Sequence, residues 1–296
     1  MAAGRALAAL GPAGARALLS ELARRDPDTA AAALRGLAGS GRRDLVPEIR
    51  AVLSDSEDPE VRRTAIKALG SLGGPEAAAL LAAKLFQARD AGERLALVEA
   101  LADAADPASQ DLLETTLEGG EDPAIRSAAA RGLAAAIGPR AVGPLESALA
   151  REASPLARYQ IVTSLAATGD AGARASLEGS LASDAEPDVR AEAARSLGLL
   201  GDSTATSALR AALSSDPNPA VRAQAARAMA TLGDRSGARL LLPDLSDPEV
   251  SVRAGAIEAL WEITGESLPY DPEAPEGERE AAAGEWRRAL EGSGGG

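Results

Sequence analysis

The sequence predicts an all-α fold, a solenoid of about eight stacked helix pairs. Three observations predict it. A residue pattern recurs every 32 positions, each copy carries the start, face and stop of one helix, and a later leucine pair marks a second helix. Composition agrees, because about a quarter of the 296 residues are alanine and only 2% are aromatic. Alanine favours helix and lets helices approach closely.

The period is plain when DPEVRRTAIKALGSLG, residues 58–73, is stepped by 32. Pro59 recurs as Pro27, Ala91, Pro123, Pro155, Pro187 and Pro219, and Leu69 as Leu37, Leu101, Leu133, Leu165, Leu197 and Met229. Gly73 recurs as Gly41, Gly169, Gly201 and Gly233. Seven copies share one register without insertion or deletion, and an eighth, at 252–265, follows one residue early.

Within a copy, the first helix is announced by a capping residue before the proline: Asp26, Asp58, Asp90, Asp122, Ser154 or Asn218. Proline at the first helical position has no N–H to lose. Apolar residues then fall 2, 6, 7, 10 and 13 places after it, as in Val61, Ala65, Ile66, Leu69 and Leu72, which is one helical face. Gly73 stands where a left-handed C-cap is wanted. The second helix is marked by Ile49 and Leu53, Leu81 and Leu85, Leu113 and Leu117, Leu145 and Leu149, Leu177 and Leu181, Leu209 and Leu213, and Leu241 and Leu245. A pair apolar on both sides cannot be stable alone and must stack on its neighbours.

The string D-P-x-V-R-x-x-A-x-x-A-L-G-x-L-G, clearest in EPDVRAEAARSLGLLG at 186–201 and NPAVRAQAARAMATLG at 218–233, resembles the HEAT-repeat consensus. The likeness is to the short variety named after phycobilisome lyases. It implies a right-handed α–α superhelix of the HEAT and armadillo kind, with first helices inner, lining a concave face, and second helices outer. It also implies a structural ladder in which the arginine after valine pairs with an acidic residue of its own or the next turn. Those arginines are Arg62, Arg94, Arg126, Arg158, Arg190, Arg222 and Arg253, with Asp58, Asp90 and Asp122 as candidate partners. The first copy departs, with Thr29 for valine and Ala30 for arginine.

The segment from Glu266 resembles a tail of some bacterial HEAT proteins, in which Y-D-P-x-A-P precedes a short helix with W-R. Pro269, Pro272 and Pro275 demand an extended lead-in, after which Ala282, Trp286 and Leu290 share a helical face suited to capping the last repeat. The expected organisation is a half repeat or N-terminal cap at 1–11, a solenoid at 12–265, an extended segment and capping helix at 266–291, and a disordered tail at 292–296. A half repeat at the start would also suit a piece of a longer protein.

Charge and composition narrow the function. A net charge of −13 opposes general binding to nucleic acid or anionic membrane. With no Cys there is no disulfide or thiolate metal site, and with no His the commonest general base and metal ligand is missing. HEAT-type deoxyhypusine hydroxylases hold iron with His–Glu pairs, which this chain lacks. Bilin lyases of the same repeat type need a pocket that 2% aromatics scarcely supplies, and HEAT-like DNA glycosylases line a basic groove with Trp. No G-x-S-x-G elbow or Gly-rich phosphate loop stands out. No catalytic residue, metal or cofactor is expected, and no run approaches 18 apolar residues, so a cytoplasmic monomer is.

One row of side chains points to binding. Eight places after the proline stand Arg35, Lys67, Arg131, Arg195 and Arg227, interrupted by Glu99 and Thr163, and Tyr159 stands four places after its own. These positions lie off the apolar face and are expected to face the groove, where a basic row would suit an acidic segment of a protein partner. The plainer reading is a solvated face with local pairs such as Glu192 with Arg195. The acidic turns read as caps, since no calcium-loop pattern occurs. The resulting expectation is a non-catalytic protein-binding scaffold. The alternatives are a nucleic-acid-binding or DNA-repair module, or a structural or regulatory fragment of a larger protein.

Overall fold

The computed structural model describes residues 12–292 apart from residue 121. The half pair expected at 1–11, and all but the first residue of the expected tail, lie outside them. The described residues form sixteen α-helices and no strand. The chain is an all-α solenoid of helix pairs.

It packs as two units, Met1–Ser164 and Leu165–Gly296. In the first, α1 (Pro12–Arg25) precedes four pairs: α2 (Pro27–Ala38) with α3 (Val46–Asp55), α4 (Pro59–Leu72) with α5 (Pro75–Leu85), α6 (Ala91–Ala104) with α7 (Gln110–Gly119), and α8 (Pro123–Ile137) with α9 (Val142–Leu149). Helix α10 (Pro155–Ala167) carries the chain into the second unit. There follow α11 (Arg174–Ser183), α12 (Pro187–Leu200) with α13 (Thr206–Ser215), α14 (Pro219–Thr231) with a 3-10 segment (Arg235–Ser246), then α15 (Val250–Thr264) and α16 (Glu276–Gly292).

The local signals act as their chemistry requires. Asp58 accepts from the N–H of Glu60 and Val61 at 2.8 and 3.0 Å, and Asp26, Asp90, Asp122 and Asn218 cap their helices likewise. Val61, Ala65, Ile66, Leu69 and Leu72 are all buried, as are Ile49, Leu81, Leu113, Leu145, Leu177, Leu209 and Leu241 of the second helices. Gly73 stops α4 at φ 61°, whereas the third copy has Ala105 in that place, left-handed at φ 48°.

Two regularities escape the hydrophobic pattern. Fifteen places after the proline, Asp106, Asp170, Asp202 and Asp234 each accept from a backbone N–H two residues on, capping a 3-10 turn that leads into the second helix. The places 9 and 11 after the proline hold only Gly, Ala or Ser in all seven copies, because successive first helices nearly touch there. A Cβ built on Gly70 would lie 2.7 Å from the Ala100 carbonyl oxygen and 2.8 Å from its Cα, and one on Gly132 would lie 3.0 Å from the Ala102 Cα.

That contact reverses a familiar sign. Gly→Ala inside a helix ordinarily gains about 1 kcal/mol, and Gly255 in α15, with open space around it, should follow that rule. At Gly70 the added methyl meets backbone that cannot step aside, and overpacking costs about 1–3 kcal/mol. Urea unfolding followed by circular dichroism should show Gly70→Ala less stable than wild type and Gly255→Ala more stable.

The structure corrects two expectations. The second helix of the seventh pair is 3-10 throughout, and Pro243 near its end has no N–H for an i to i−4 bond. In α16 the buried residues are Ala283 and Trp286, with Ala282 and Leu290 only half-buried. The face is turned by one residue because α16 packs against the 3-10 segment. Before it, the Tyr270 hydroxyl donates to the Leu245 carbonyl.

Candidate functional site

Two rows of arginine meet the expectations differently. In the ladder row, every guanidinium except that of Arg94, which makes no such bond among the described residues, first closes its own turn. The Nη1 of Arg190 donates to the carbonyls of Asp184 and Ala185 at 2.9 and 3.3 Å, and Arg62, Arg126, Arg158, Arg222 and Arg253 reach back five or six residues in the same way. The opposite edge, Nε with Nη2, then reaches forward. Arg190 grips both oxygens of Asp216 at 2.7 and 2.9 Å, and Arg126 grips Glu152 at 2.6 Å twice. Arg222 takes Asp244 at 3.1 and 2.8 Å, and Arg253 takes the Pro272 carbonyl at 2.9 and 2.6 Å.

The carboxylates that receive the ladder are therefore not Asp58, Asp90 and Asp122, which are held as N-caps by the N–H groups of their own helices. The acceptors of Arg126 and Arg190 lie three residues before the next proline, 26 residues beyond the arginine. Glu152 and Asp216 also accept from the N–H of Ser154 and Asn218 at 2.8 Å each, so one carboxylate joins two successive repeats.

The Arg126 guanidinium, aided by the Ser154 N–H, holds the Glu152 carboxyl below the usual range. At Asp216, burial pushes the carboxyl up, but Arg190 and the Asn218 N–H outweigh it and leave it lowered. A lowered native value means that the stabilisation is complete above the unfolded carboxylate pKa of about 4 and is lost as pH falls through the native one. The urea midpoint should drop on acidification below about pH 4, and less steeply once Arg126 and Glu152 are both replaced by apolar residues.

The second row is the exposed stripe of the first helices. In the first unit Arg35, Lys67 and Tyr159 are exposed and Arg131 is half-buried. Arg131 pairs with Asp103 of α6 at 2.7 Å, and Arg35 stands 4.0 Å from Glu60 of α4. In the second unit Arg195 pairs with Glu192 of its own helix at 2.8 Å and Arg227 pairs with Glu262 of α15. The basic row is thus largely neutralised by carboxylates of its own or neighbouring first helices. The sequence shows Glu192 at i−3, but Asp103 and Glu262 reach the row only through stacking.

The stripe changes character on α10. Leu156 is 67% exposed and Tyr159 37%, one turn apart, where most other copies carry small or charged residues. Among the described residues no group of three or more His, Cys, Asp or Glu could hold a metal ion. No described helix is long and apolar enough to cross a membrane.

Comparison with known proteins places this architecture. The family model for HEAT repeats matches residues 15–102, 79–166, 109–198, 142–216 and 206–274, and the chain belongs to the HEAT-repeat family. No curated protein matches the sequence. Among solved structures, Kap121p bound to Pho4p aligns with a TM-score of 0.60 at 14% identity, covering 95% of this chain and 36% of Kap121p. The YibA protein of E. coli aligns with a TM-score of 0.52 at 17% identity, covering 87% and 94%. The CpcE–CpcF complex of phycocyanin lyase from Nostoc sp. PCC7120 gives 0.47 at 18% identity, covering 86% and 95%. The first two likenesses show the fold, and the chain spans about a third of Kap121p.

Proposed function

We propose that this chain is a non-catalytic scaffold that binds a protein partner on the exposed face of its first helices. The observation that carries the reading is the exposed pair Leu156 and Tyr159 on α10. Aromatic side chains with an apolar neighbour are the usual anchors of protein interfaces. Kap121p, of the same fold, has been solved bound to Pho4p, which supports a binding role for such a solenoid.

Charge would tune rather than drive this interface. Exposed ion pairs are worth about 0–1 kcal/mol, so an acidic segment of the partner can exchange with Glu60 or Asp103 on Arg35 and Arg131 at small cost. Lys67, exposed beside Arg35, adds to the attraction. Affinity capture from the native cell should recover a partner with the wild-type chain and lose it with Leu156→Asp/Tyr159→Ala at unchanged helicity. Capture of the same partner by both chains would overturn the reading.

A further inference from the structure

The ladder has an open rung. We infer that Arg62 forms a carboxylate-binding slot on the turn edge of the first unit, fitted to an Asp or Glu side chain or the terminal carboxylate of a partner polypeptide. The slot does not involve Leu156 or Tyr159, and its test does not depend on the binding reading that rests on them.

The reasoning is internal to the chain. Twenty-six residues beyond Arg126 and Arg190 stand the carboxylates that grip them, whereas 26 residues beyond Arg62 stands Ala88. The Nη1 of Arg62 still donates to the carbonyls of Ser56 and Glu57 at 3.3 and 2.9 Å. Its guanidinium is therefore held as in the filled rungs, while Nε and Nη2 meet no acceptor among the described residues. Arg94 has Gly120 in the corresponding place, but a Cβ there would lie 2.7 Å from the Thr116 carbonyl oxygen, so that rung has no room for a filling side chain from the turn.

Arg62 lines a groove of about 410 Å³ together with Pro59, Ile66, Asp90, Glu93 and Ala96. Arg63 beside Arg62 pairs with Glu60, and Asp90 is held as an N-cap by the Glu93 N–H at 2.9 Å; the Asp90 and Glu93 carboxylates stay negative, so a guest carboxylate must outcompete them for the guanidinium. A fixed guanidinium with two parallel donors matches a carboxylate bidentately, and its prior orientation lowers the ordering cost of binding. The chain shows that the same edge takes an acceptor from a non-helical segment, since Arg253 donates to the Pro272 carbonyl. In the turn with Ala88, Phe86 is 80% exposed and offers apolar surface to residues flanking the bound carboxylate.

The test is a titration of the arginine Nε–Hε resonances by NMR at constant ionic strength. The probes are the blocked peptide Ac-Gly-Asp-Gly-NH2, carrying a side-chain carboxylate, and Ac-Gly-Gly-OH, carrying a terminal one. A saturable shift of Arg62, at concentrations that leave exposed Arg140 unmoved, supports the slot, and the tighter probe identifies the source. In Ala88→Asp, which supplies the carboxylate in cis, Arg62 should be displaced from the start, respond to neither probe, and the thermal midpoint should not fall. Two results would overturn the slot. One is an Arg62 shift no larger than that of Arg140, and the other is a resonance already displaced in the free protein that returns on Asp90→Asn.

Discussion

Replacing Arg190 with alanine is expected to destabilise the second unit by about 3–5 kcal/mol. The residue is 9% exposed and its carboxylate partner Asp216 is nearly as enclosed. Truncation removes the donor to two turn carbonyls and leaves Asp216 charged, buried and facing a void, with the Asn218 N–H and the more distant Arg222 charge in partial compensation. Leaving a buried charge unpaired costs more than the pair itself contributes. The double variant Arg190→Met/Asp216→Leu should therefore recover a substantial part of the loss. Urea unfolding of the single and double variants measures both, and equal stability of Arg190→Ala and wild type would show that the link carries no energy.

Trp286→Ala should cost a comparable amount, about 3–5 kcal/mol for a fully buried indole, but with a local outcome. Trp286 is 0% exposed and fixes α16 against the 3-10 segment, where Arg239 also binds the Leu290 carbonyl. Among the described residues α16 packs mainly on the 3-10 segment, so the lost contact is local. A solenoid opens at its weakest interface first. Hydrogen exchange across 276–292 should rise to the level of an undocked segment, while α12 and α13 keep their protection. Uniform loss of protection through the second unit would instead make α16 part of its cooperative core.

The fold was legible because the period repeats its information. Asp58 with Pro59, the Val61 to Leu72 face and Gly73 each agree with their copies, so an exception such as Ala91 does not blur the register. What the hydrophobic pattern left out was polar and steric. Glu152 and Asp216 recur three residues before proline, and the small residues at places 9 and 11 recur in every copy, yet neither changes the apolar face. Only the approach of Gly70 to Ala100 gives the second pattern a meaning.

The exposed stripe of the first helices is legible in the sequence as a position, but its charge balance is not. Arg131 and Arg227 were placed on the exposed stripe, but the carboxylates that neutralise them, Asp103 and Glu262, lie 28 and 35 residues away. No helical spacing reports such a pairing. Of the exposed pair on α10, the sequence singles out Tyr159 alone. Leu156 follows the helix-starting Pro155 at a place that belongs to no repeated pattern, so nothing in the period singles it out.

The forward reach of the ladder also acts as a ruler. From Arg126 to Glu152 and from Arg190 to Asp216 the chain runs 26 residues, through the rest of one helix, a whole second helix and two turns. From Arg222 to Asp244 it runs 22, through the 3-10 segment, which advances about 2.0 Å per residue against 1.5 Å in an α-helix and so covers distance with fewer residues. A one-residue insertion inside such a span would pull a carboxylate off its guanidinium, whereas gain or loss of a whole 32-residue copy leaves every surviving span its proper length. Where the 26-residue link is made the chain is held to complete repeats, and the one-residue shift of the eighth copy falls where the link is the shorter one from Arg222 to Asp244.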